Sequence, residues 1–145
     1  MNFFDLNILV YAHREDSPRH EVIKDWLTNE IYSDTLWAIS PIILSGFIRV
    51  VTHPRIFKTP TPLNLALDYV DSLLSFSNCI LIYPGERHWG IFIELCKKSL
   101  ATGNLIPDAY LAALAIESGT VWITTDSDFA RFPSLQWQNP LHVTK

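Results

Sequence analysis

Residues 120–129 read Thr-Val-Trp-Ile-Thr-Thr-Asp-Ser-Asp-Phe, TVWITTDSDF. Val121-Trp122-Ile123 is a short apolar run of β-branched and aromatic residues, the composition of a buried strand. Two threonines follow, then Asp126 and Asp128 one residue apart, then Phe129. Two carboxylates at the mouth of a buried strand lose hydration, and each raises the proton affinity of the other. Something must offset that cost. A turn is one answer, because Asp and Ser favour turns and helix N-caps; a bound cation is the other. The stretch alone leaves both open.

Working outward, apolar strands alternate with helical patterns. MNFF opens the chain as a strand. In residues 17–31 the order Ser17, Pro18 predicts an N-cap and first helical position, with Val22, Trp26 and Leu27 at helical spacing. LWAIS reads as a strand and PIILSGFIRVVT as a helix ending before His53. In residues 61–76 Thr61 is the expected cap and Pro62 the first position, with Leu63, Leu67, Val70 and Leu74 on one face. CILIYP is a strand. RHWGIFIELCKKSLATG is expected to be a helix closed by Gly103, and PDAYLAALAIESG a helix opened by Pro107 and closed by Gly119. The tail LQWQNPLHV adds a short edge strand. Strand–helix alternation implies βαβ units, hence an α/β fold with a mostly parallel sheet covered on both faces. The full span 1–145 reads as one domain, with no internal repeat or linker.

In such folds sites form outside the carboxyl ends of strands. That rule selects Asp5, directly after the first strand, and Asp126 and Asp128, directly after the last firm one. Asp108 joins them, in the first turn of its helix on the face carrying Leu111, Ala112, Ala115 and Ile116. Each acid has a plain alternative: Asp5 and Asn7 as helix caps, Asp108 as a helix-dipole partner. Together they are four carboxylates from three segments converging on one sheet edge. A divalent cation relieves their repulsion, and oxygen-only ligands suit Mg²⁺ or Mn²⁺ rather than zinc. The chemistry implied is phosphoryl transfer to water.

These residues resemble the PIN-domain nuclease family and, within it, the VapC-type toxins of bacterial toxin–antitoxin pairs. DLNILVYA is similar to the family's D-x-N start, GNLIPDAYLAALAIESG to its Asp-bearing helix, and TTDSDF to its closing acidic loop; GFIRVVTHPRIF and FPSLQWQNPL resemble one VapC subgroup. The resemblance covers nearly the whole chain in order. It implies a three-layer α/β/α sandwich of PIN type, Mg²⁺-dependent endoribonuclease activity, a VapB-type antitoxin partner and a homodimer. Carried over position by position, Asp5 and Asp108 match the principal metal ligands and Asp126 a further one. Asp128 is placed behind them, capping the turn at Phe129, with Asn7 and Thr124 orienting carboxylates. One position departs. The helix after strand two usually carries a glutamate, and here Gly46 stands at the matching place, with no acid between Asp34 and Asp68. A PIN domain that binds RNA or an antitoxin without cutting is therefore the alternative.

Other features bound the reading. A net charge of −4 excludes nucleic-acid binding through the whole surface, so a local patch is required. Arg49, His53, Arg55 and Lys58 form such a stretch, expected to hold RNA phosphates near the carboxylates. Cys79 and Cys96 have no metal or redox spacing and read as buried free thiols of a cytoplasmic protein. The acidic start lacks a signal peptide's basic region, and no apolar run reaches a membrane span. The five histidines, at 13, 20, 53, 88 and 142, show no ligand spacing. Trp37 and Trp122 are expected in the core; Trp89 and Trp137 pack or stack on bases. A phosphoaspartate phosphatase also begins with Asp after strand one, but needs an acid two residues on, where Asn7 stands.

Overall fold

The computed structural model describes residues 1–142. Five strands form one sheet: β1 (Asn2–Phe4), β2 (Trp37–Ile39), β3 (Cys79–Leu81), β4 (Val121–Ile123) and β5 (Trp137–Gln138), in the order β3-β2-β1-β4-β5. Every pairing is parallel, with Phe3 in register with Ala38 on one side and Trp122 on the other. The expected mostly parallel sheet is thus wholly parallel. Its central strands are buried on both faces, which is why they read as unbroken apolar runs. Trp37 and Trp122 are both in the core. Phe3 meets Trp122 edge-on at 4.9 Å and Phe4 stacks on Trp37 at 5.5 Å. The tail supplies β5 at the sheet edge, although Val143 lies outside the described residues.

Helices α1 (Leu6–His13), α2 (His20–Ile31), α3 (Pro41–Val51) and α4 (Leu63–Leu74) pack among themselves, and α5 (His88–Ser99) packs on α6 (Leu105–Ser118). Right-handed crossovers put the first four on one face and the last two on the other. This is the three-layer arrangement expected.

Several local readings are corrected. α2 starts at His20, because Ser17 closes a turn first: its carbonyl accepts from His20 N–H at 3.1 Å. Its inward stripe is His20, Ile23, Leu27 and Ile31, while Val22 is exposed. In α4 the inward residues are Ala66, Val70 and Leu73; Leu63, Leu67 and Leu74 face outward. Thr61 does not cap that helix. Its hydroxyl meets His13 Nε2 and Arg14 Nη1, each at 3.1 Å. α5 closes at Leu100 (φ 54°), an exposed left-handed residue after which Ala101 N–H bonds Cys96 O at 3.0 Å, rather than at Gly103. α6 begins two residues before Pro107 and closes, as expected, at Gly119 (φ 68°). Cys79 and Cys96 are free and half-buried rather than buried. Trp89 is exposed and Trp137 half-buried. Among the described residues no helix is long and apolar enough to cross a membrane.

Candidate active site

The strand order creates the site. The chain leaves β1 toward β2 and β3, then crosses back to place β4 on β1's other side. The carboxyl ends of β1 and β4 therefore diverge at a switch point, where this class of sheet opens a crevice. Asp5 N–H bonds Ile123 O at 2.9 Å, carrying the ladder one residue past β1.

Asp5 is 5% exposed. Its Oδ1 accepts from Leu6 N–H at 2.6 Å, so it does cap α1. Its Oδ2 accepts from Thr124 Oγ1 at 2.7 Å and Asn7 Nδ2 at 3.3 Å. The cap and the site member are one residue, not alternatives. Thr124, fully buried, donates to Asp5 and accepts from Asn7 Nδ2 and from Asp126 N–H, both at 3.1 Å, which fills the capacity of its hydroxyl. Asn7 Oδ1 accepts from Thr125 N–H at 3.3 Å. Asn7 and Thr124 thus tie the start of α1 to the loop after β4.

That loop also combines the two readings of TTDSDF. Asp126 Oδ1 accepts from Asp128 N–H at 2.9 Å and caps a 3₁₀ turn, Ser127–Arg131, whose Phe129 is buried against Trp122. The capping residue is therefore Asp126, where Asp128 was expected. Asp128 is exposed and turned toward its neighbours: one carboxylate oxygen from each of Asp108, Asp126 and Asp128 lies within 4.8 Å of the others. Asp5 stands behind this trio. Among the described residues, none of the four is ion-paired to a lysine or arginine. Burial pushes Asp5 up to about 7, with the charges of Asp108 and Asp126 adding to it, against the lowering effect of its bonds to Thr124 and Leu6. Burial, then the charges of Asp126 and Asp128, pushes half-buried Asp108 up to about 6.

Gly46 sits on α3 against Leu6; a Cβ there would stand 3.0 Å from Leu6 Cδ2. Beside it runs an apolar groove of about 410 Å³, lined by Leu6, Ile43 and Gly46 on one side and Pro107, Tyr110 and Leu111 on the other. Leu6 and Pro107 are the chain neighbours of Asp5 and Asp108, so the groove opens next to the acids. Sequence reasoning missed it; the only local hint was a glycine amid large apolar residues.

The loop of the basic stretch packs at the other end of α1, where Arg14 lies 4.0 Å over Phe57 and Thr61 meets His13. An eight-residue helix separates that end from Asp5, about 12 Å at 1.5 Å per residue. The loop cations Arg55 and Lys58 belong to that end, whereas Arg49 stands on α3, one turn past Gly46. His53 Nδ1 accepts from Arg55 N–H at 3.1 Å, so it shapes the turn.

A family profile described as PIN domain matches residues 3–135. Ribonuclease VapC43 of Mycobacterium tuberculosis is 42% identical over 137 residues, covering 94% of this chain and 93% of that one. Ribonuclease VapC25 of the same organism is 34% identical over 140 residues, covering 97% and 99%. VapBC2 of Rickettsia felis, solved bound to a DNA fragment from their promoter, contains a chain that superposes with a TM-score of 0.68 at 23% identity, covering 95% of this chain and 97% of that one; that likeness shows the fold. With the wholly parallel sheet, the acids at its switch point and this match along nearly its whole length, the chain belongs to the PIN-domain family.

Proposed function

We propose that the protein is a divalent-metal-dependent endoribonuclease, the toxin of a VapBC-type toxin–antitoxin pair. The observation that carries this is the trio of Asp108, Asp126 and Asp128 oxygens within 4.8 Å of one another, none of them ion-paired to a lysine or arginine among the described residues. Such a donor set, all oxygen and open on one side, fits Mg²⁺ or Mn²⁺. Asp108 and Asp126 would hold the ion, with Asp128 completing the set on the solvent side and Asp5 behind. When bound, the ion supplies positive charge for phosphate oxygens and acidifies water. The protein's own part is positional. Thr124 and Asn7 fix the Asp5 carboxylate against rotation, and the turn at 127–131 fixes Asp126 and Asp128 relative to each other. The exposure of Asp128 leaves that side open for a phosphodiester to approach.

The partners follow from the same surfaces. An antitoxin that places an apolar side chain in the groove and a basic one among the carboxylates would replace the ion's charge. The outward stripe of Leu63, Leu67 and Leu74 on α4 supports a homodimer. A second reading, binding without cleavage, is favoured by Gly46, which leaves α3 without a carboxylate. Incubating the purified chain with single-stranded RNA and Mg²⁺, alongside Asp108→Asn and a metal titration by calorimetry, separates the two. Metal-dependent cleavage abolished in the variant is expected. Metal and RNA binding without turnover would establish the second reading, and cleavage indifferent to chelator would refute the first.

A further inference from the structure

From the sequence, this protein is a poor candidate for gripping RNA. It is acidic overall, and the constellation at its switch point repels phosphate until a cation covers it. One region differs. Between Asp34 and Asp68 there is no acid at all, and the segment holds Arg49, Arg55 and Lys58. All three are exposed, and none is in an ion pair among the described residues.

The segment is also held in place. Arg14 reaches into it from the end of α1: its Nε and Nη2 bond both oxygens of Asp16 at 2.9 and 2.6 Å, its Nη1 bonds Thr61, and its guanidinium lies over Phe57, the residue before Lys58 in the chain. Thr61 N–H bonds Val51 O at 2.8 Å, closing residues 52–60 into a loop, and His53 sets the turn that presents Arg55. The acid closest to Arg14, Asp16, is already neutralised by it. Glu15 lines the depression on the α1 side, with Asp16 and Thr59, so the free positive charge belongs to α3 and the loop.

The exposed side of α3 joins this loop to the site. Ile42, Ser45 and Arg49 follow one another along it, and Gly46 beside them adds no side chain. We propose that Arg55 and Lys58 form an anchoring surface for the RNA backbone, about a helix length from Asp5, with Arg49 on the path between them and the site, binding phosphates remote from the one to be cut. This rests on the ribonuclease reading for its substrate, but not for its geometry. At about 3.4 Å per stacked nucleotide, the roughly 12 Å between the two places corresponds to three or four nucleotides. An RNA too short to span that distance touches only one of them. The anchor supplies affinity without base preference, because phosphate contacts carry none.

The test measures binding in chelator, so that no cleavage occurs and failure of the nuclease reading leaves the result interpretable. Fluorescence anisotropy is recorded with a 20-nucleotide single-stranded RNA and with a trinucleotide, across salt concentrations, for the wild-type chain, Arg55→Ala/Lys58→Ala and the conservative exchange Arg55→Lys/Lys58→Arg. For the alanine variant the expected loss on the 20-mer is roughly 25-fold at 0.1 M salt, with the salt slope shallower by about 1.4, at about 0.7 per contact on single strands. The conservative exchange retains most of the affinity, and the trinucleotide, which in chelator finds only the anchor, is weakened as well. Equal slopes and affinities within twofold on the 20-mer would overturn the anchor. A variant that loses a protein partner but not RNA would assign the patch to that partner instead.

Discussion

The two ends of α1 are built on opposite principles. At its start, four carboxylates gather with no lysine or arginine ion-paired to them among the described residues, and Asp5 and the loop after β4 are set by bonds to hydroxyl, amide and backbone donors. At its end, Arg14 neutralises the acid it touches, holds a loop in place, and leaves the neighbouring cations free in solvent. The first end is strained electrostatically and ordered by neutral groups; the second is relaxed and ordered by a charge. Strain that persists in a folded chain marks a place where something outside the chain completes the balance. The relaxed end asks for nothing to fold, so its free cations cost little to keep exposed.

Breaking the strained end should give the largest effects. Asp108→Asn and Asp5→Asn are expected to lower RNA cleavage by about a thousandfold or more, the scale of removing an interaction on which the transition state depends. The Asp108→Asn fold should be retained or gain stability, since repulsion falls; Asp5→Asn also relieves repulsion but gives up one of the two acceptor oxygens that Leu6, Thr124 and Asn7 donate to, so its gain is offset. Cleavage rates at matched metal, with melting temperatures beside them, check this; near-wild-type rates in both would remove the carboxylates from the mechanism.

Next comes pH. Asp5 has its folded-state value raised to about 7 from an ordinary value of 3.8. The folded chain therefore holds a proton between those values that the unfolded chain releases, so the stabilisation is full at low pH and is lost as pH rises toward 7. The metal-free protein should lose on the order of 2–4 kcal/mol from this group between pH 4 and 8. Asp108 acts in the same direction. Added Mg²⁺ or Mn²⁺ should offset the loss at the upper end. Urea unfolding across that range, with and without metal, tests the sign; stability rising with pH in chelator would contradict the described electrostatics.

Thr124→Val removes the hydroxyl shared by Asp5, Asn7 and Asp126 while keeping the shape. A loss of about 1–3 kcal/mol is expected, together with a further rise in the proton affinity of Asp5, both readable by denaturation and carboxyl-carbon NMR titration. Unchanged titration would mean that the hydroxyl does not govern Asp5. The smallest effect belongs to Gly46→Ala. Helix propensity favours alanine by about 1 kcal/mol, and Leu6 must yield a few tenths of an ångström to admit the Cβ. The net change should be under about 1 kcal/mol, with the apolar groove narrowed. A large destabilisation would show that Leu6 cannot move.

Where the chain states its fold locally, the sequence was readable. Strand ends followed by acids place those acids at the sheet's carboxyl edge by covalent geometry alone, and alternation with helices leaves few topologies. The failures share one cause. α4 carries two overlapping apolar stripes, and periodicity does not say which faces inward; packing on α3 decided for Ala66, Val70 and Leu73. Asp126 and Asp128 are chemically alike, and which one caps depends on the dihedrals of a turn. Thr61 had the type and position of a cap, but Arg14 and His13, 47 and 48 residues earlier, claimed its hydroxyl. The placement of the basic loop at the other end of α1, and the groove beside Gly46, required knowing how α1 and α3 lie together.

The bond from Thr124 to Asp5 spans 119 positions of sequence. At synthesis rates of about 5–20 residues per second, Asp5 leaves the ribosome roughly 6–24 s before the residue that fixes it. During that interval the acids cannot meet, because β4 does not yet exist to bring the last two to β1. A chain that still lacks β4 is as unassembled at this place as one barely begun. The placing of Asp126 and Asp128 so far along the chain from Asp5 thus works as a timer: whatever the site does begins only after β4 has been made, and any partner that recognises the assembled crevice meets only chains that have passed that point.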